Sequence, residues 1–136
     1  MTRIGDIGTP KYIDWDVEAS FYVSLALIKV RGLLNPRFLT FYIQAREFKK
    51  ELYKRTIHVA FPKKINLGEI GNCLVAFPPP EEQDYIASVL TVAEQDLSLL
   101  KQQLHYLREG KRALMQQLLT GKRFFKCREP KQVSDA

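Results

Sequence analysis

Ile86, Leu90, Ala93, Leu97, Leu100, Leu104, Leu107, Lys111, Leu114 and Leu118 recur at strictly alternating steps of four and three. That spacing lays all of them along one stripe of a helix and is the heptad signature of a coiled-coil interface. Ahead of the stripe, Glu81, Glu82 and Asp84 bring negative charge to the end where free amides and the macrodipole favour it. Behind it, Gly121 can take the left-handed conformation that closes a helix, with Lys122 beside the negative end. The predicted helix covers about forty residues and, at about 1.5 Å per residue, extends about 60 Å. The upstream segment of about eighty residues, whose own helix is about half as long, cannot cover such a seam, so a partner helix is expected. Lys111 on the seam, next to Gly110, either sets register or carries its amine out to water.

Charge is unevenly spread. Residues 1–80 carry twelve Lys or Arg against seven Asp or Glu, residues 81–100 carry five acids and no base, and residues 101–131 carry nine bases against two acids. Parallel pairing of two such helices sets acid against acid, whereas antiparallel pairing sets acid against base. The same layout also suits the dipole of a single helix. The net charge of +6 admits nucleic acid as a partner without requiring it. No charged start followed by an apolar run opens the chain, and the apolar stretch Phe21 to Ile28 is too short to span a bilayer. A cytoplasmic protein without a membrane partner is expected. Cys73 and Cys127 lie far apart with no CxxC and no nearby histidine pair, so no metal site and no disulfide framework is indicated. Cys73 is expected to be buried and Cys127 to lie in a mobile tail.

Upstream of the long helix, Phe21 to Val30 is rich in β-branched and aromatic residues and is predicted to be a mostly buried strand. Asn35 and Pro36 start a helix that runs to about Tyr53, with Phe38, Phe41, Ala45, Phe48 and Leu52 on its apolar face and Arg46, Lys49, Lys50 and Lys54 in water. Cys73 to Phe77 is a second predicted strand, stopped by Pro78, Pro79 and Pro80. The expected fold class is therefore α+β: short strands and one helix over residues 1–80, a single long coiled-coil helix over 81–121, and a polar, flexible tail over 122–136.

Two stretches suit a phosphate backbone. In TRIGDIGTP, residues 2–10, Gly5, Gly8 and Pro10 form a tight turn in which amides and Arg3 approach a ligand, or a plain surface turn. In KRTIHVAFPKKIN, residues 54–66, bases and a histidine alternate with apolar residues, as in a nucleic-acid clamp or a solvated connecting loop. Arg3, Lys11, Arg55, Thr56, His58, Lys63, Lys64 and Asn66 are the candidate DNA contacts. No catalytic set, metal cluster or cofactor loop stands out, so no cofactor is expected.

Taken in order, TRIGDIG, FYVSLALIK, FPKKINLGEIG, CLVAFPPPEEQDYIASVL and GKRALMQQLLTGK resemble the DNA specificity subunits of type I restriction-modification systems, over about Thr2 to Phe124. The resemblance implies that residues 1–80 are the later part of one target-recognition domain and that Glu81 to Thr120 is a spacer helix. In that family two recognition domains each read half of a bipartite DNA sequence, and two long helices pair antiparallel between them. Methyltransferase (modification) subunits dock around those helices, and the restriction subunits join to complete a defence against foreign DNA. Only one helix and the later part of one domain are matched here. A split subunit that self-associates or pairs with another specificity fragment is one expectation, and a remnant serving as a coiled-coil scaffold with little DNA binding is the other.

Two further readings are weaker on the residues. Asp14 and Asp16 upstream of Glu47-Phe48-Lys49 superficially match a metal-dependent nuclease, but Glu47 and Lys49 fall two apart on a helix and point in different directions. A stand-alone dimeric regulator with a basic zipper needs basic residues ahead of the heptads, where this chain is acidic. A non-catalytic protein is expected.

Overall fold

The computed structural model describes residues 1–16, 18–59 and 61–124, so Cys127 and most of the tail expected beyond residue 122 lie outside the described residues. The chain divides into two compact units, Met1–Ala93 and Glu94–Ala136. Four helices dominate: α1 (Pro36–Gln44), α2 (Arg46–Arg55), α3 (Leu67–Gly71) and α4 (Pro80–Leu119). None is long and apolar enough to cross a membrane.

The Asn-Pro start of α1 is as the sequence predicts. Asn35 Oδ1 accepts from the amides of Arg37 at 2.7 Å and Phe38 at 3.0 Å, and Pro36 takes the first helical position, where its missing N–H costs nothing. The single helix expected to reach Tyr53 is instead two helices, broken at Ala45, whose ψ of 149° is extended. The reason lies in helix phase. Leu39 and Ile43 on α1 and Phe48 and Leu52 on α2 are all buried in one core, closed by Ile65. On one straight helix, at about 100° per residue, Phe48 lies about 180° from Leu39. The kink brings opposite faces to the same side. Phe41, placed on the apolar stripe by spacing, is only partly buried.

Neither predicted strand forms. Among the described residues the β component is reduced to three isolated antiparallel bridges, Thr2 with Leu25, Ile4 with Lys64 and Ile57 with Lys64. Residues 24–26 do meet Met1–Arg3: the Arg3 amide donates to Ser24 O and the Ala26 amide to Met1 O, both at 2.8 Å. Beyond Ala26 no neighbouring segment among the described residues supplies a ladder, so Leu27 and Ile28 stay exposed, whereas Ala26 is buried. A strand requires a partner as well as a β-prone sequence. Cys73 to Phe77 likewise makes no ladder bonds among the described residues, and Cys73 is partly rather than fully buried.

The turn at residues 2–9 closes on itself. The Thr2 amide donates to Thr9 O at 3.0 Å and the Gly8 amide to Thr2 O at 3.1 Å. Gly8 has φ +90°, and a Cβ built there meets Leu52 Cδ1 at 2.7 Å. Leu52 is buried and cannot swing away freely. Gly8→Ala is therefore expected to cost the Met1–Ala93 unit about 2 kcal/mol, read as a lower urea midpoint at unchanged m-value. Gly5→Ala, with the same kind of φ but open space around it, is expected to cost about half as much.

α4 is one uninterrupted helix of 40 residues. Pro80 opens it, Glu81 and Glu82 occupy its first turn, and Gly121 at φ +69° follows its end. Its first turns belong to the Met1–Ala93 unit and bury Gln83 and Ala87. Gln83 is completely buried and fully bonded: Oε1 accepts from the Asn35 amide at 2.8 Å, and Nε2 donates to Leu33 O at 3.1 Å and Pro78 O at 2.8 Å. Next to it, Asn35 Nδ2 donates to Asp84 Oδ1 at 2.6 Å. One asparagine thus caps α1 and ties it to the start of α4.

Candidate nucleic-acid interface

The bridges that replace the expected sheet gather several of the candidate DNA contacts. Gly5 N donates to Lys63 O at 2.8 Å, Ile65 N to Arg3 O at 3.0 Å, and Ile57 N to Lys64 O at 2.8 Å. The backbone around Arg3 therefore lies beside that of Lys63, Lys64 and Asn66, with Thr56 and His58 flanking on the other side of Lys64. Lys11 is exposed, and among the described residues no hydrogen bond or ion pair links it to this group.

Within the group the side chains differ in what they have free to offer. Arg3 is committed internally: Nε donates to Val23 O at 2.8 Å and Nη1 to Ile65 O at 3.2 Å. Arg55 lies between two carboxylates, with Nη2 at 2.8 Å from Glu51 Oε1 and Nη1 at 3.1 Å from Glu69 Oε2. Glu51 first, then Glu69, raises its already high pKa further. Thr56 Oγ1 donates to Leu52 O at 2.7 Å, closing α2. His58 Nε2 lies 2.8 Å from Tyr53 O, which can only accept, so this nitrogen carries a proton. Lys63 and Lys64 are exposed and form no ion pair among the described residues, and the Asn66 side chain makes no cap bond although the residue opens α3. Free donors therefore reside on Lys11, Lys63, Lys64 and Asn66.

The turn at residues 2–10 keeps its glycine amides occupied, Gly5 with Lys63 O and Gly8 with Thr2 O. Arg3 and those two amides build the turn, and the lysines across from it carry the exposed charge.

A basic surface not assigned to DNA from the sequence adjoins this loop. Arg46, Lys49, Lys50 and Lys54 are exposed on α2 around Tyr53 and line a shallow depression with it. The His58 ring lies 4.3 Å from the Tyr53 ring, which joins the loop to that helix face. Exposed aromatic rings among lysines can stack on bases while the amines meet phosphates. The signal was present as the three-four spacing of these cations, which a solvated helix face shares.

The other chemical candidates are dispersed. Asp14 Oδ2 lies 3.4 Å from Arg37 Nη2, and Glu47 lies near Lys50 rather than Asp14. No cluster of three or more His, Cys, Asp or Glu suited to a metal occurs among the described residues. Cys73 Sγ lies 3.4 Å from Glu69 O, and burial pushes its thiol pKa up.

On α4 the seam residues are largely open to solvent. Ile86 and Leu118 are half-buried, whereas Leu90, Ala93, Leu97, Leu100, Leu104, Leu107, Lys111 and Leu114 are exposed. His105 is exposed on the same helix. No protein-family model matches the chain, and no solved structure matches it.

Proposed function

We propose that the chain is a non-catalytic DNA-recognition fragment of the type I specificity-subunit kind, with a DNA-facing surface in residues 1–80 and a pairing and docking helix in residues 81–120. The observation that carries this reading is α4 itself: 40 unbroken residues with an apolar seam in water, starting at the PPPEEQ stretch and ending at the LLTG stretch on which the resemblance rests. A long seam of exposed leucines is the form a helix takes when its burial comes from another chain. Methyltransferase subunits are the proposed docking partners, with restriction subunits joining the assembly.

The DNA part is carried by Lys63 and Lys64, helped by Lys11, Asn66, His58 and the α2 cations. Its test is affinity for duplex DNA against salt concentration. Changing Lys63 and Lys64 to Ala is expected to flatten the slope of log K on log salt by about one unit for each phosphate no longer neutralised. An unchanged slope removes both lysines from the interface. A second reading, a coiled-coil scaffold with little DNA binding, draws support from the internal commitment of Arg3, Arg55 and Thr56. Parent protein with no salt-dependent DNA affinity at all would select it.

A further inference from the structure

Residues 57–64 leave the body of the Met1–Ala93 unit as a loop with a closed neck. Ile57 and Lys64 exchange backbone hydrogen bonds across it, at 2.8 Å from the Ile57 amide and 3.5 Å from the Lys64 amide. On the far leg, Ile65 is completely buried and Lys63 O accepts from the Gly5 amide. On the near leg, His58 Nε2 donates to Tyr53 O at 2.8 Å and the two rings lie 4.3 Å apart. The core holds one side of the loop, and α2 holds the other.

Beyond that neck stand the two most exposed large apolar side chains of the described residues. Val59 is 98% exposed and Phe61 is entirely in water. A lone apolar residue on a surface needs no explanation. These two, however, occur two positions apart on a loop fixed at both legs, in a stretch over residues 54–64 that holds four Lys or Arg and no acid. We propose that Phe61, helped by Val59, is a wedge that enters between two base pairs of duplex DNA from the minor groove while Lys63 and Lys64 hold the neighbouring phosphates. The proposal rests on the reading of residues 1–80 as a DNA-recognition surface and deepens it.

The surroundings of Phe61 select the ligand. A protein partner would have to supply an apolar pocket ringed by carboxylates to suit this tip. Duplex DNA supplies both needs at one place, because an opened base step presents the apolar faces of two base pairs with phosphates beside them on each strand. The flat ring of Phe61 can stack on a base, which the short branched side chain of Val59 cannot. Opening a step pushes back on whatever is inserted, so a wedge needs a stiff mount. The Ile57–Lys64 neck provides one, and Pro62 fixes its own φ next to the wedge. Base steps also differ in how readily they open, pyrimidine–purine steps most of all. A wedge therefore gives this loop a sequence preference without a hydrogen bond to any base edge.

The test uses the full chain and a relaxed closed-circular plasmid, treated with topoisomerase I while the protein is bound and read by linking number once the protein is removed. The parent is expected to leave the plasmid negatively supercoiled in proportion to the protein bound, because each inserted wedge unwinds a step. Compared at equal bound fraction, Phe61→Ala is expected to lose about four-fifths or more of that shift, to bind about tenfold more weakly, and to keep the slope of log K on log salt, since its lysines still reach phosphates. Phe61→Leu, which keeps an apolar wedge, is expected to retain about half of the shift or more. Phe61 packs on nothing within the described fold, so both variants should melt with the parent. A Phe61→Ala chain that unwinds the plasmid as the parent does overturns the wedge. So does a parent that binds with a steep salt slope and leaves the linking number unchanged, and in both cases the recognition reading stands. A parent that does not bind the plasmid even at low salt overturns the wedge and the recognition reading together.

Discussion

Gln83→Leu is expected to destabilise the Met1–Ala93 unit by about 3 kcal/mol, because leucine fills the space but strands the groups that glutamine satisfies. The Asn35 amide loses its acceptor, and the carbonyls of Leu33 and Pro78 lose their donor. Each such loss costs on the order of 1 kcal/mol or more when water cannot replace the partner freely. For a unit of this size the melting temperature should fall by about 12 °C or more. Glu81→Leu, at an exposed position two residues earlier, is expected to change stability by under about 0.5 kcal/mol. Thermal unfolding followed by circular dichroism, with both variants side by side, checks this. Equal melting temperatures would show that the buried glutamine does not hold α4 to the Asn35 turn.

The second large effect concerns association. With Leu97 and Leu104 both changed to Glu, two carboxylates per helix would enter the seam through which α4 is proposed to pair. Burying such charges costs several kcal/mol in total, so self-association should weaken at least 100-fold while the thermal stability of residues 1–93 stays unchanged. Sedimentation equilibrium reads the first quantity. A pull-down reads the partner side: capture of a methyltransferase subunit should fall with the same variant, and undiminished capture would show that docking does not depend on the paired seam.

The long helix was legible because its information is local and periodic. Ten seam positions, acids before them and a glycine behind them state length and face without reference to the rest of the chain. The start of α1 was legible for the same reason, since Asn35 and Pro36 act within one turn. The break at Ala45 was not. Phe38, Phe41, Ala45, Phe48 and Leu52 fit one helix, and only the core around Ile65 shows that Leu39 and Ile43 must turn to the same side as Phe48. The run Phe21 to Val30 has strand composition, but composition does not supply a ladder partner, and past Ala26 none is present among the described residues. Gln83 sits in an acidic stretch that reads as solvated helix start. Its burial depends on Leu33 and Asn35, about fifty residues earlier.

The candidate interface was legible as a set of segments and less so as a set of roles. TRIGDIG and PKKIN do come together, through Gly5 with Lys63 and Arg3 with Ile65. A guanidinium satisfies a carbonyl as readily as a phosphate, so residue type alone could not tell that Arg3 and Arg55 are occupied within the fold. The basic face of α2 was visible in spacing, but the Tyr53–His58 ring contact that joins it to the loop was not.

The commitment of Arg3 bears on how mutational data from this surface will read. Its guanidinium stitches the segment at Val23 to the segment at Ile65, so an alanine there loosens the ground on which Lys63 and Lys64 stand. A screen that scores only retained DNA at one salt concentration would rank Arg3 with the lysines, or above them. Titration across salt separates the two kinds of defect, because a collapsed platform lowers the fraction of competent protein and leaves the slope alone, whereas a lysine absent from a phosphate changes the slope itself.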